Sequence, residues 1–195
     1  NGIPCVPMES ERADKKQMIF SRSFSTPVTT IEEMRQVMSV YAQKAAIRLS
    51  KENQLARILT VFAGTSHFND RESSYPSAAV HLEVPTADPV ILSQAAVNAM
   101  DAQIVEGIPY ARAGVMLTDL SPAGAQPVFE EFVTTHEKRR IGELLGQVTD
   151  KYGSTAIGLG LAGLNSEKPD WTMTRKFSSP RYTTEWSELP VVKAS

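Results

Sequence analysis

Two short segments set an arginine among hydroxyls and aromatic rings: Ile-Phe-Ser-Arg-Ser-Phe at 19–24 and Ser-Pro-Arg-Tyr-Thr-Thr at 179–184. Guanidinium, hydroxyl and backbone N–H groups are the donors that hold phosphate oxygens, so both segments suit gripping an anion better than bond chemistry. Ser21-Arg22-Ser23 falls on a predicted strand, where alternation sends Arg22 to one face and both serines to the other. A strand running beside a nucleic-acid backbone can add its free amides to these donors, although an ordinary edge strand also carries a solvated arginine. Arg57, His81 and Arg112 lie on the other predicted strands and could line the same open face; taken singly, each reads as plain surface. Arg22 and Arg112 are expected to share that face and contact phosphate.

The signatures of catalysis are weak. His67, His81 and His136 are too scattered for a metal triad by local spacing, and no serine sits in a nucleophile elbow. Phosphoryl transfer with two metal ions needs clustered carboxylates, and the chain has no Asp-Glu pair. Gly158-Leu-Gly160-Leu-Ala-Gly163 matches a dinucleotide fingerprint by letters, but Asn165 to Pro169 follows as a turn where the motif needs a helix. A glycine-loosened strand is the better reading.

The positioning elements are legible from periodicity. Gln17 to Phe24 reads as a strand, and Thr30-Ile-Glu-Glu33 is a capping box opening a helix to about Asn53, with Met34, Val37, Met38, Tyr41 and Ala45 on one face. Ala56 to Thr65 and Ser77 to Val84 are further strands. Asp88-Pro89 starts a second helix that Gly107 can close, and Tyr110 to Leu117 is the fourth strand. The order strand, helix, strand, strand, helix, strand predicts an α+β fold: a four-stranded sheet with two helices on one face and the other face free. A Pro/Gly/Ala linker at 121–126 leads to a small α+β C-terminal unit. In it Ile141, Leu144, Leu145, Val148 and Tyr152 have helical spacing stopped by Gly153, Ala156 to Leu161 is a strand candidate, and Trp171 to Phe177 resembles a hairpin. At about 70 residues that unit is marginal alone and is expected to lean on the first domain or on a partner.

With 195 residues, 42% of them hydrophobic, the chain can bury a core, and no apolar run is long enough to span a membrane, so a cytoplasmic location is the default. Cys5 is the only cysteine, which excludes an internal disulfide. A net charge of −2 argues against a strongly basic free-standing nucleic-acid binder, yet 171–184 holds Arg175, Lys176 and Arg181 with no acid. Any DNA contact must be local. Residues 1–16 alternate proline with charge as a connector does, and the missing initiator methionine reads as a piece of a longer chain.

Ser-Arg-Ser-Phe at 21–24, Met34-Arg35-Gln36, Ala113-Gly-Val-Met-Leu117 and Ser179-Pro-Arg-Tyr-Thr-Thr184 together resemble the C-terminal part of the UmuC type of Y-family translesion DNA polymerase. The resemblance implies that 17–121 is a little-finger domain laying its open sheet along template-primer DNA through Ser21, Arg22, Ser23, Arg57, His81 and Arg112. It implies that 122–195 contacts a cleaved UmuD-type dimer, with Arg175, Arg181 and Tyr182 as partner-binding residues, and that a recombinase filament is a further partner. Gln126, Val128 and Phe129 are candidates for a sliding-clamp contact, an aromatic anchor in a flexible linker, although Pro127 departs from the family pattern. The palm carboxylates and their magnesium would precede residue 1, so this region is expected to need no cofactor and to be inactive alone. Two rival readings remain: a protein-interaction module without firm DNA contact, and a small-molecule enzyme on a ferredoxin-like fold.

Overall fold

The computed structural model describes residues 15–66, 68, 73–124, 138–153, 156–162, 169–174 and 178–191. Its elements are β1 (Gln17–Val28), α1 (Ile31–Lys51), β2 (Gln54–Thr65), β3 (Ser77–Thr86), α2 (Pro89–Asp101), β4 (Tyr110–Pro122) and α3 (Ile141–Tyr152). The strands form an antiparallel sheet in the order β1-β4-β2-β3, with α1 and α2 packed on one face. The expected α+β architecture is therefore present.

Local chemistry explains the helix ends. Thr30 caps α1: its Oγ1 accepts the Glu33 amide at 3.2 Å and donates to the Glu33 carboxylate at 3.0 Å. Acids in the first turn and Arg48 and Lys51 in the last complement the helix dipole. Asp88 caps α2 by accepting the amides of Val90 and Ile91, with Pro89 at the first helical position. This helix stops at Asp101, short of Gly107. Asp101 is held there by Arg35 of α1 at 2.8–2.9 Å, and Gly107, at φ +84°, instead turns the chain so that its amide reaches the Thr29 carbonyl at 2.8 Å.

Alternation builds the core. Met18, Phe20, Leu59, Val61, Val115 and Leu117 point to the helices, where they meet Met34, Val37, Met38 and Tyr41 of α1 and Leu92, Ala96 and Met100 of α2, all at most 8% exposed. Each such large side chain contributes about 1.5–3 kcal/mol of transfer free energy.

The C-terminal segments dock on α1. Trp171 inserts its ring edge-on against Phe24 and Tyr41, both at 6.2 Å between centroids, and its indole donates to Gln36. Lys51 pairs with Asp150 of α3, and Gln43 bonds the backbone of Leu159. Helix α3 ends at Gly153, φ +89°, as its sequence predicts. The strand expected at Ala156 to Leu161 is absent: Gly160 adopts φ +53°, a left-handed conformation incompatible with extended chain, and Gly160–Ala162 is a 3-10 turn. Of the hairpin expected over Trp171 to Phe177, residues 171–174 form a turn bonded to β1, and 175–177 lie outside the described residues. The Ser25 amide donates to the Trp171 carbonyl at 3.3 Å, and the Thr174 amide donates to Ser25 Oγ at 2.7 Å. Among the described residues no helix is long and apolar enough to cross a membrane.

Candidate nucleic-acid interface

In antiparallel pairs, residues directly opposite one another project to the same side, so the register fixes the face without helices. It reads as four rows across the sheet: Gln17–Thr118–Ile58–His81, Ile19–Met116–Thr60–Ala79, Ser21–Gly114–Phe62–Ser77, and Ser23–Arg112–Gly64. Ser21, Ser23, Arg112 and His81 are thereby brought onto one face. Arg22 is not. Its partner in β4 is Ala113, wholly buried beneath the helices, so Arg22 belongs to the helix side and the expectation that it shares a face with Arg112 is corrected. One step of strand alternation accounts for this.

Two glycines shape the open face. A Cβ on Gly114 would fall 2.3 Å from the Phe62 ring and 2.5 Å from Ser21 Cβ, so only glycine lets that ring lie across β4. A Cβ on Gly64 would meet the Tyr75 ring at 2.9 Å and Arg112 Nε at 3.2 Å. Tyr75 thus covers Gly64, and the Arg112 guanidinium sits 5.9 Å from its ring centroid. The ring restrains a side chain that would otherwise lose more freedom on binding. Sequence reasoning missed both Phe62 and Tyr75; the available signal was Phe62 opposite Gly114 in neighbouring strands. Arg57, exposed, sits at the irregularity where pairing jumps from Ala56↔Thr86 to Ile58↔His81.

The second arginine segment is differently disposed. Arg181 is already neutralised: Nε and Nη2 donate to Glu188 Oε1 at 2.9 and 2.6 Å, and that pair holds the Glu188 carboxyl below its ordinary range. Tyr182 is exposed nearby. Gln126, Val128, Phe129 and Arg175 lie outside the described residues, as do His67 and His136. Among the described residues no group of three or more His, Cys, Asp or Glu could hold a metal ion.

On the helix side, Phe20 is ringed by cations. Arg22, Lys44 and Arg48 lie 5.0, 5.5 and 5.4 Å from its ring centroid. Burial, and secondarily the Arg22 charge, lowers the Lys44 amine below its usual range. Burial pushes the neighbouring Tyr41 hydroxyl up to about 12, against a smaller opposing pull from Arg22.

Comparison with known proteins places the chain in a family. The profile described as the impB/mucB/samB family C-terminal domain matches residues 15–128, and a domain of unknown function (DUF4113) matches 139–192. The chain belongs to the impB/mucB/samB family. It is 38% identical to Protein SamB and 35% identical to Protein ImpB, both of Salmonella typhimurium, each alignment covering 99% of this chain and 45% of the relative. Protein UmuC of Salmonella typhimurium strain LT2 is 36% identical over 98% of this chain and 46% of its own length. The likeness to UmuC read from residues 21–24 and 179–184 is borne out, and the chain spans less than half the length of these relatives.

Proposed function

We propose that this chain is the DNA-engaging and partner-engaging C-terminal part of an error-prone translesion DNA polymerase acting in SOS mutagenesis and DNA repair. The observation that carries the reading is the sheet face that no helix covers among the described residues, where Arg112, steadied by Tyr75, stands in line with Ser23 and next to the row of Ser21. A restrained guanidinium flanked by hydroxyls along a strand offers donors to successive phosphates without reading bases. Such a surface positions template-primer DNA, while nucleotidyl transfer and its magnesium belong to the preceding part of the polymerase.

The C-terminal segments serve partner contact in this reading, with a cleaved UmuD-type dimer as the principal partner and the sliding clamp and recombinase filament as others. Support comes from the exposed Tyr182 and from Trp186, 88% exposed, beside the Arg181–Glu188 pair. Titrating a template-primer duplex at several salt concentrations tests the DNA assignment. Arg112→Ala is expected to weaken binding across sequences and to reduce the log-affinity versus log-salt slope by about 0.9 per lost phosphate contact. An unchanged slope removes Arg112 from the interface.

A further inference from the structure

We infer that Arg22, Lys44 and Arg48 form a second anion-binding surface, on the helix side of the β1 edge, whose occupant is a single-stranded nucleic-acid backbone. The three charges come from two elements: Arg22 from the edge strand, Lys44 and Arg48 from adjacent turns of α1 at i and i+4. All three converge on the buried Phe20 ring at 5.0–5.5 Å, so no two of them can be farther apart than two such distances. None forms a salt bridge among the described residues, whereas Lys15, Arg35, Lys51, Arg140 and Arg181 all do. Like charges this close repel one another; the Lys44 amine is lowered first by burial and then by the Arg22 charge. A multivalent anion relieves the repulsion.

The shape of the edge favours a nucleic-acid strand over an acidic peptide. Arg22 stands back to back with Ser21 and Ser23 on β1, a strand at the edge of the sheet. A backbone that leaves the open face and rounds this edge therefore passes directly from Ser23 and Arg112 to Arg22 and Arg48. Single-stranded DNA carries a charge about every 3.4 Å of axis per strand when stacked and bends freely, so it can make that turn, while a duplex lying on the open face cannot reach the reverse side. The inference rests on the open-face reading for the origin of the strand, but the two surfaces separate experimentally.

The test uses the 195-residue chain, fluorescence anisotropy and two probes: a labelled oligothymidylate and a template-primer duplex without overhang, each titrated at several salt concentrations. The triple variant Arg22→Ala, Lys44→Gln, Arg48→Gln is expected to bind oligothymidylate at least tenfold more weakly at low salt. Its slope should flatten by about 0.7 per lost contact. Duplex binding, which Arg112→Ala reduces, should change little in the triple variant. An oligothymidylate slope unchanged in the triple variant overturns the inference whatever the duplex does; a duplex slope unchanged in Arg112→Ala overturns the open-face reading alone. Poly-L-glutamate binding tighter than oligothymidylate, and lost in the same variant, assigns the cluster to an acidic protein and also overturns the inference. Lys44→Gln singly, with its circular dichroism spectrum and Tm, keeps the test decisive if the triple variant is unfolded: a wild-type slope for oligothymidylate in this variant counts against the surface.

Discussion

The side-chain amide of Gln43 hydrogen-bonds both backbone groups of Leu159, Nε2 donating to the carbonyl at 2.9 Å and Oε1 accepting the amide at 2.9 Å. Gln43 is 5% exposed and stands in for the neighbouring strand that 156–161 does not have. Gln43→Leu leaves the Leu159 amide unpaired, while the Leu159 carbonyl keeps the Ala162 amide at 3.1 Å, and is expected to cost about 1–3 kcal/mol. Denaturant unfolding measures the loss, and hydrogen exchange at the Leu159 amide locates it; wild-type protection there would show that the amide has another partner.

Gly114→Ala drives a methyl group into the Phe62 ring and Ser21. Overpacking of this kind costs about 1–3 kcal/mol, and the displaced ring should also weaken duplex binding. In a double-mutant cycle, Phe62→Ala should restore part of the stability lost to Gly114→Ala; strict additivity would mean that the ring is not what the methyl group meets.

Tyr41 predicts an alkaline limit. Its folded-state hydroxyl titrates at about 12 against 10.0 for an ordinary tyrosine, so between those values the folded chain keeps a proton that the unfolded chain has lost. The contribution of Tyr41 is complete below pH 10 and declines as pH rises towards 12. Tyr41→Phe should flatten that part of the stability-versus-pH curve and remove the latest-titrating tyrosinate from an ultraviolet titration. Persistence of that late transition in the variant would assign it to another tyrosine.

Lys44 predicts the opposite sign. Because folding lowers its amine below the ordinary 10.5, the charged form is disfavoured in the fold, and stability from this group is gained as pH rises through the lowered value. At neutral pH, Lys44→Gln is expected to raise Tm while reducing oligothymidylate affinity. A lower Tm would show that the packing of the lysine stem on Phe20 outweighs the relief of charge burial and of repulsion by Arg22.

Much of the sheet domain was legible because period-two alternation, a capping box at Thr30 and Asp88-Pro89 are local signals. The face of Arg22 was also legible, since its serine neighbours must oppose it; grouping it with Arg112 gave residue type precedence over alternation. The convergence of Lys44 and Arg48 on Phe20 was not legible, because helical spacing shows that two cations are neighbours without showing what lies beneath them. The fate of 156–162 and 171–174 was hidden for a related reason. Their hydrogen bonds go to Gln43 and Ser25, more than a hundred positions away, and no local pattern encodes a partner at that distance.

The contact of Trp171 with Gln36, 135 positions apart, has a consequence for synthesis. Chains emerge at about 5–20 residues per second, so β1 and α1 wait roughly 6–24 seconds before the segment that covers Phe24, Tyr41 and the Ser25 amide is made. During that interval the nascent protein presents an aromatic rim beside an unpaired strand edge, the combination that pairs with other chains. A chain that stops before Trp171 therefore leaves this rim and the Ser25 amide uncovered, and the Trp171 segment removes that hazard at the β1 edge alone.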